Sequence, residues 1–219
     1  MAATPTHLTQ LILAAAMVVP VVTGAAGLQT IQLPKPRTEG GMPLMQALAA
    51  RHSSREFAPR PLPRQVLSDL LWAAFGVNRP ATGGRTAPSA MDWQETDIYV
   101  VLAEGAYLYD ARAQALQPVA EGDLRGVTGI QPFVKDAGLN LLYVADTTRM
   151  TRARSEQHEF FEGADAAFIA QNVYLFCASE SLSVVVRASL DHAAAAKALK
   201  LRPTQVISLA QTVGYPKEP

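Results

Sequence analysis

The feature of this sequence that most restricts its fold is the stretch from Gly163 to Glu180, "GADAAFIAQNVYLFCASE". It predicts a helix that is apolar on nearly all of its sides, and such a helix is usually buried at the centre of a domain. The chain has 219 residues, of which 49% are hydrophobic. That is enough for one sizeable core and does not indicate two, so the other elements must pack around this helix.

The segments around the central helix mix helices and strands without a regular alternation. Amphipathic helices are predicted at Met42–Ala50 and Pro63–Phe75, and a last helix at Leu190–Lys200. Strands are predicted at Asp97–Ala103, Ala106–Asp110, Leu139–Asp146, Ser183–Arg187 and Thr204–Pro216. Glu104-Gly105, between the first two strands, indicates a hairpin. Because parallel βαβ units would alternate regularly, this order predicts an α+β sandwich.

Residues 1–26 differ in composition from the rest of the chain. An uncharged apolar run begins at Leu8 and ends in small residues, which is typical of a secretory signal cleaved near Ala25 or Ala26. A membrane anchor is the alternative, although Pro20 and the modest length of the run count against it. The signal predicts an exported, periplasmic protein. Without a signal the protein would be cytoplasmic.

Residues 27–41 are polar and rich in Pro and Gly, and they predict a linker or an arm that lies over the surface. The folded domain is therefore expected at residues 42–219, and no membrane span is predicted in the mature chain. Cys177 is the one cysteine, so the chain cannot form an intramolecular disulfide.

The charge of the chain argues against nucleic acid as a partner. There are 19 basic and 19 acidic side chains, whereas duplex binding normally requires a marked basic excess. The arginines do cluster locally, between Arg51 and Arg64 and between Arg149 and Arg154. Local clusters of this kind suit a small anionic ligand better than a polymer.

Several common kinds of site lack their sequence signatures. The histidines do not have the spacing of zinc ligands, and no metal site is predicted. No G-x-S-x-G, G-x-G-x-x-G or Walker motif is present. Cys177 lies in the most apolar helix, where a thiol is expected to be inert packing. No side chain is therefore predicted to act as a catalytic nucleophile.

The segment "RHSSREF", Arg51–Phe57, concentrates cations and hydroxyls directly after the first amphipathic helix. Arg51 and Arg55 are four residues apart, with Ser53 between them. Two guanidinium groups with hydroxyl and backbone donors would match a phosphate monoester. A solvated basic helix end is the alternative, and the spacing alone favours it. The aperiodic stretch at residues 76–96 is also long enough to indicate a functional loop or disorder.

Four motifs, in order, resemble those of the nitroreductase-family flavoproteins. "RHSSREF" resembles the R-x-S-x-R-x-F motif with which the family holds the phosphate and ribityl chain of FMN. "RTAPSAMDWQETDIYVV" resembles the loop and strand that bring a Pro-Ser segment to the flavin. "GADAAFIAQNVYLFCASESLSVVVR" is similar to the central dimer helix with its following strand, and "TVGYPKEP" to the terminal G-Y-P segment. The resemblance spans nearly all of residues 42–219, is closest to the short, SagB-like branch, and favours the phosphate clamp.

The resemblance also implies which residues bind FMN. Contacts to the phosphate and ribityl chain are implied for Arg51, His52, Ser53 and Arg55. An approach to the ring from the partner subunit is implied for Pro88, Ser89, Ala90 and Asp92. A position along the flavin edge is implied for Val185, Arg187 and Ala188. Closure of the phosphate site is implied for Gly214 and Lys217.

The fold implied by the resemblance is an α+β sandwich of a central mixed, mostly antiparallel sheet with helices on both faces. It is an intertwined homodimer with two FMN at the interface. Two departures from the family pattern stand out. Asp92 occupies a position that usually holds Asn, which puts the redox tuning of the flavin in doubt. Residues 180–183, "ESLS", replace a glycine-rich turn, which puts the shape of the pocket in doubt.

The activity implied is that of an FMN-dependent oxidoreductase. It would transfer electrons from NAD(P)H or another reduced donor to a nitro, quinone-like or other small acceptor, by a ping-pong mechanism. Arg187 is the candidate for stabilising negative charge on the reduced ring, with a plain surface arginine as the alternative. Two other functions stay open: an exported non-catalytic or electron-carrying flavin-binding module, and a SagB-like peptide azoline oxidase.

Overall fold

The central helix runs from His158 to Ser179 in the computed structural model, which describes residues 27–218. The helices within these residues are α1 (Leu44–Ala50), α2 (Arg64–Phe75), α3 (His158–Ser179) and α4 (His192–Ala198). The strands are β1 (Ile31–Gln32), β2 (Val77–Arg79), β3 (Gly84–Arg85), β4 (Thr96–Val101), β5 (Gly105–Asp110), β6 (Ala115–Glu121), β7 (Leu139–Asp146), β8 (Ser183–Arg187) and β9 (Gln205–Gly214).

One seven-stranded sheet has the order β1–β6–β5–β4–β7–β9–β8. Each neighbouring pair in it is antiparallel. β4 and β5 form the predicted hairpin, in which the amide of Leu102 donates to Gly105 O at 2.9 Å. The prediction of an α+β sandwich with a mostly antiparallel sheet is therefore confirmed, and no pair of strands within residues 27–218 is parallel.

Helices cover both faces of the sheet. Consecutive residues of a strand point to opposite sides, so a strand with consecutive apolar residues needs cover on both faces. Leu141 of β7 is buried in one cluster with Leu70 of α2 and Ile169 of α3. Its neighbour Leu142 is buried on the other face with Ala195 of α4. Every residue of β7 is buried, as expected for a strand that is paired on both sides and covered on both faces.

Part of the apolar surface of α3 and α1 stays exposed in the single chain. On α3, Phe160 is 72% exposed and Phe168 is 49% exposed. The nearby helix α1 exposes Leu44, Met45 and Leu48. α3 was predicted to be apolar on nearly all sides, but the elements of this chain cover only some of them.

The N-terminal arm packs on the domain. β1 pairs with β6, and Leu33 is buried. The buried carboxylate of Asp69 in α2 accepts hydrogen bonds from the amide and Nε of Arg37, at 2.7 and 2.8 Å. β1 and β6 were not predicted, because β1 has only two residues and β6 contains Pro118, a residue that sequence patterns place outside strand interiors.

The predicted signal segment, residues 1–26, lies outside the described residues. Within residues 27–218, no helix combines the length and the apolar character needed to cross a membrane.

Candidate functional site

The segment Arg51–Phe57 begins where α1 ends and runs beside the edge strand β8. The amide of Ser54 donates to Val184 O at 2.9 Å, and the amide of Ala58 donates to Tyr215 O at 2.9 Å. An isolated antiparallel bridge also pairs Phe57 with Pro216. Backbone bonds therefore bring together two of the predicted motifs, "RHSSREF" and the terminal G-Y-P segment, at the end of the sheet.

Tyr174 of α3 contacts the polar end of this segment. Its hydroxyl oxygen accepts a hydrogen bond from the amide of Val186 at 2.9 Å and lies 2.8 Å from Ser53 Oγ. The guanidinium of Arg51 lies over the Tyr174 ring, with Cζ 5.3 Å from the ring centroid. This is a cation–π distance, so Arg51 is not simply solvated at a helix end.

A cavity of about 350 Å³ opens between this segment, α3 and the start of β8. Its lining includes the side chains of His52, Tyr174 and Ser183, together with Pro216. Ser183 Oγ lies 3.2 Å from the hydroxyl of Ser54. The cavity therefore has hydroxyl and imidazole groups on its wall.

Three cations lie on the same two segments. Arg51 is half-buried, and Arg55 and Lys217 are exposed. None of the three forms an ion pair with another residue in the described part of the chain. The end of the sheet beside β8 therefore presents three cations that form no ion pair with a described carboxylate.

Gly214, at the end of β9, is required by close packing. A Cβ on this residue would lie 3.0 Å from the amide nitrogen of Gly138 and 3.3 Å from the ring of Phe57. Phe57 itself is buried and packs on Phe133, with ring centroids 5.4 Å apart. Val185 belongs to the same buried cluster, so its side chain is part of the core.

Arg187, at the end of β8, is only 7% exposed, whereas the following Ala188 is exposed. Its guanidinium donates to Thr128 O at 2.7 Å, to Asn140 Oδ1 at 3.1 Å and to Thr212 Oγ1 at 2.8 Å. Burial among these neutral groups lowers the pKa of Arg187 to about 10. The alternative of a plain surface arginine is therefore wrong.

The predicted Pro-Ser loop is held by two buried carboxyl groups. Ser89 Oγ donates to Glu95 Oε2 at 3.0 Å, and the amide of Ala90 donates to Asp165 Oδ2 of α3 at 2.8 Å. Burial and, to a smaller extent, the neighbouring Asp165 raise the pKa of Glu95 above its ordinary value. A protonated Glu95 could also donate a hydrogen bond to the neighbouring Asp165.

The tip of this loop has an unusual backbone. Met91, Asp92 and Gln94 have positive φ angles of 51°, 55° and 48°, a region that residues other than glycine seldom occupy. The side chain of Asp92 is exposed and accepts a hydrogen bond from Gln94 Nε2 at 3.0 Å. Pro88 is also exposed.

The structure thus gathers the predicted residues into two groups. The first group comprises residues 51–57, 183–188 and 214–217, and the second comprises residues 88–92. Tyr174 contacts the first group and Asp165 contacts the second. These two residues are two and a half turns apart on α3, about 14 Å along the helix axis.

Comparison with known protein families decides the identity of the domain. A model of the nitroreductase family matches residues 48–215, which include nearly all of both groups. The chain belongs to the nitroreductase family. At the level of this family its class of activity is that of a flavin oxidoreductase.

Two relatives and one further protein of the same fold illustrate the range of similarity. The crystal structure of a nitroreductase from Ralstonia eutropha is 42% identical, with a TM-score of 0.84, and the match covers 90% of this chain and 93% of that chain. A nitroreductase of Methanocaldococcus jannaschii is 29% identical over 152 residues, which are 65% of this chain and 76% of that protein. The NADPH:FMN oxidoreductase of Vibrio harveyi, solved with NAD⁺, shares the fold at 19% identity and a TM-score of 0.59 over 80% of this chain and 69% of that one.

The donor groups of the first group fit FMN, the flavin that the sequence resemblance implies. A phosphate monoester is bound best by cations and hydrogen-bond donors. Arg51, Arg55 and Lys217 supply cations without a described carboxylate partner. Ser53 and His52 are exposed residues that add a hydroxyl and an imidazole. The polar groups present are therefore those that a phosphate and a ribityl chain require.

Sequence reasoning missed Tyr174, Glu95 and Asp165. The signal for Tyr174 was a hydroxyl within an otherwise apolar helix, because a buried hydroxyl needs a partner. For the two carboxyl groups no local pattern was available, since they meet only when the loop packs on α3.

Proposed function

We propose that this nitroreductase-family protein is an FMN-dependent oxidoreductase. The observation that carries the proposal is the meeting of "RHSSREF" with the G-Y-P segment beside β8, through the bonds of Ser54 and Ala58. These two motifs are far apart in the sequence, and both are assigned to the FMN phosphate by their resemblance to the family. Their cations have no described carboxylate partner at the place where they meet.

Within this proposal each residue of the first group has a binding role. Arg51, Arg55 and Lys217 would neutralise the phosphate, and His52 and Ser53 would offer hydrogen bonds to the phosphate and ribityl chain. Val185 and Ala188 would provide backbone along the flavin edge, since Val185 is buried and Ala188 has no polar side chain, and the backbone of Gly214 would help to close the phosphate site. Arg187 would act through its positive charge, because its N–H groups already bind Thr128, Asn140 and Thr212.

The chemistry that FMN supplies when bound is electron transfer from a reduced donor, such as NAD(P)H, to a small nitro or quinone-like acceptor, in ping-pong order. The chain's part would be to hold and orient the cofactor through the residues of the first group. No side chain is required to form a covalent bond.

A homodimer is part of the proposal. Leu44, Met45 and Leu48 on α1 and Phe160 and Phe168 on α3 are exposed apolar residues on neighbouring helices. Exposed apolar clusters mark interaction surfaces, and a second copy of the chain would cover this one. The partner's loop would then bring Pro88, Ser89, Ala90 and Asp92 to the flavin, as the resemblance implies, although in one chain this loop lies about 14 Å farther along α3.

Export is also proposed, on the apolar run in residues 1–26 and the small residues that follow it. The mature chain would begin near Ala26 or Gly27. Mass spectrometry of the protein from its native host measures this start directly, and a soluble cytoplasmic form with Met1 intact would contradict export.

The experiment that tests the function is purification followed by cofactor analysis and turnover. We expect a yellow dimer that releases one FMN per subunit on denaturation and oxidises NAD(P)H in the presence of a nitroarene or a quinone. A yellow protein without turnover would support a flavin-binding module. A colourless protein that takes up no added FMN would overturn the proposal.

A further inference from the structure

The chemistry of its neighbour Val186 fixes the direction of one of the two hydrogen bonds of Tyr174. Tyr174 is 6% exposed, and its Oη is 2.9 Å from the amide nitrogen of Val186 and 2.8 Å from Ser53 Oγ. A backbone N–H can only donate, so the phenol oxygen is the acceptor toward Val186.

The phenol proton must then find an acceptor of its own, because a buried donor without a partner is costly. Among the described residues, Tyr174 Oη has no hydrogen-bond partner other than Val186 and Ser53. Ser53 Oγ is the acceptor that the described residues offer for this proton, and its distance of 2.8 Å permits a hydrogen bond in either direction. With Tyr174 as the donor, the hydroxyl proton of Ser53 is free to point away from Tyr174, toward the exposed side of the segment.

We infer that Tyr174 is a positioning residue of the flavin site: it joins Ser53 to strand β8 and turns the Ser53 hydroxyl outward as a hydrogen-bond donor. The inference rests on the proposed function, in which the phosphate and ribityl oxygens of FMN are the acceptors that Ser53 meets. The ring of Tyr174 also supports the guanidinium of Arg51 at 5.3 Å, so one side chain orients two of the groups assigned to the cofactor.

The variant Tyr174→Phe separates these two roles. It keeps an aromatic ring beneath Arg51 and removes both hydrogen bonds of the hydroxyl. We expect the affinity of the apoprotein for FMN, measured by the quenching of flavin fluorescence, to fall about tenfold. Ser53→Ala should cause a similar loss. Because both residues act through one chain of hydrogen bonds, the double variant should be little weaker than either single variant.

Tyr143→Phe is the matched control. Tyr143 is a fully buried tyrosine whose hydroxyl donates to Gln211 within the core, and the segment Arg51–Phe57 does not contact it through any hydrogen bond in the described structure. We expect this variant to bind FMN as the wild type does. An equal loss of affinity in Tyr143→Phe and Tyr174→Phe, or fully additive losses in the Ser53 and Tyr174 variants, would overturn the inference.

A second measurement distinguishes failure of the inference from failure of the proposed function. If the wild type took up no FMN, the proposed function would be wrong. The hydrogen bond between Tyr174 and Ser53 would then be tested in the apoprotein, by urea unfolding of the two single variants and the double variant. Non-additive changes in unfolding free energy would support the hydrogen-bonded pair. Additive changes would overturn it.

Discussion

The two groups of site residues are fixed by different kinds of bond. The segment Arg51–Phe57 is held against β8 and the C-terminal chain by backbone amides and by the hydroxyl of Tyr174. The loop that carries Ser89 and Ala90 is held by the carboxyl groups of Glu95 and Asp165. The first set of bonds contains no carboxyl group, whereas the second set includes a buried carboxyl whose pKa is raised.

The first group, proposed to bind the phosphate, and the second group, proposed to approach the flavin ring, are therefore expected to respond differently to pH. The loop also carries three residues other than glycine with positive φ, Met91, Asp92 and Gln94. Such conformations cost about 1 kcal/mol or more each and persist only where surrounding contacts hold them. Removal of the carboxyl contacts should therefore loosen the loop, while the segment beside β8 stays in place.

The largest effect is expected at the phosphate end. Arg51→Ala and Arg55→Ala should each weaken FMN binding by roughly 1.5–3 kcal/mol, because each removes one partner of a charge-assisted bond. Binding of riboflavin, which lacks the phosphate, should change much less. Titration of the apoproteins with both flavins measures the difference.

Arg152→Ala is the control for this prediction, since Arg152 is exposed and lies on neither segment of the first group. It should bind both flavins as the wild type does. Equal losses of FMN and riboflavin in the Arg51 and Arg55 variants would show that these arginines do not bind the phosphate.

The second effect concerns pH and the loop. The raised pKa of Glu95 means that the folded protein keeps a proton that the unfolded chain releases above pH 4.5, the ordinary value. As pH rises from there through the raised pKa, the free energy of unfolding should fall because the folded state binds more protons. Glu95→Gln can bind Asp165 without a titrating proton, so it should lose this part of the pH dependence.

Urea unfolding at several pH values, from mildly acidic to mildly alkaline, measures the slope of the free energy of unfolding against pH. Arg85 and Arg149 donate hydrogen bonds to Gln94, and neither forms an ion pair with Glu95 or Asp165 among the described residues. Glu56→Gln, which removes an exposed carboxyl from the first group, should keep the wild-type slope. If Glu95→Gln kept it as well, the carboxyl pair would not be what holds the loop.

The smallest effect is expected at Asp92, where the family usually has Asn. If the partner's loop lies against the flavin, this carboxylate opposes the gain of negative charge on reduction. Asp92→Asn should then raise the midpoint potential by about 20 mV, because an exposed charge acts through solvent. Spectroelectrochemical titration compares the two proteins. An unchanged potential would place Asp92 away from the ring and would contradict the proposed arrangement of the dimer.

Local patterns in the sequence were sufficient for the main elements of the fold. The apolar runs of α3 and β7 and the Glu104-Gly105 turn predicted a central helix, a buried strand and a hairpin, each within a few residues of its bounds. β1 and β6 were missed because a short strand and a strand with Pro118 have no clear periodicity. For the site, the chemistry of "RHSSREF" and the order of the motifs indicated which residues could bind a phosphorylated flavin.

The sequence by itself therefore determined the types of the main elements, the family and the candidate donor groups, because these depend on residue type and local spacing. Only the tertiary structure decided that Arg187 is buried among Thr128, Asn140 and Thr212, and that Tyr174 joins Ser53 to β8. These contacts join residues that are far apart in the chain, and strand order and register, not local pattern, bring them within hydrogen-bond distance.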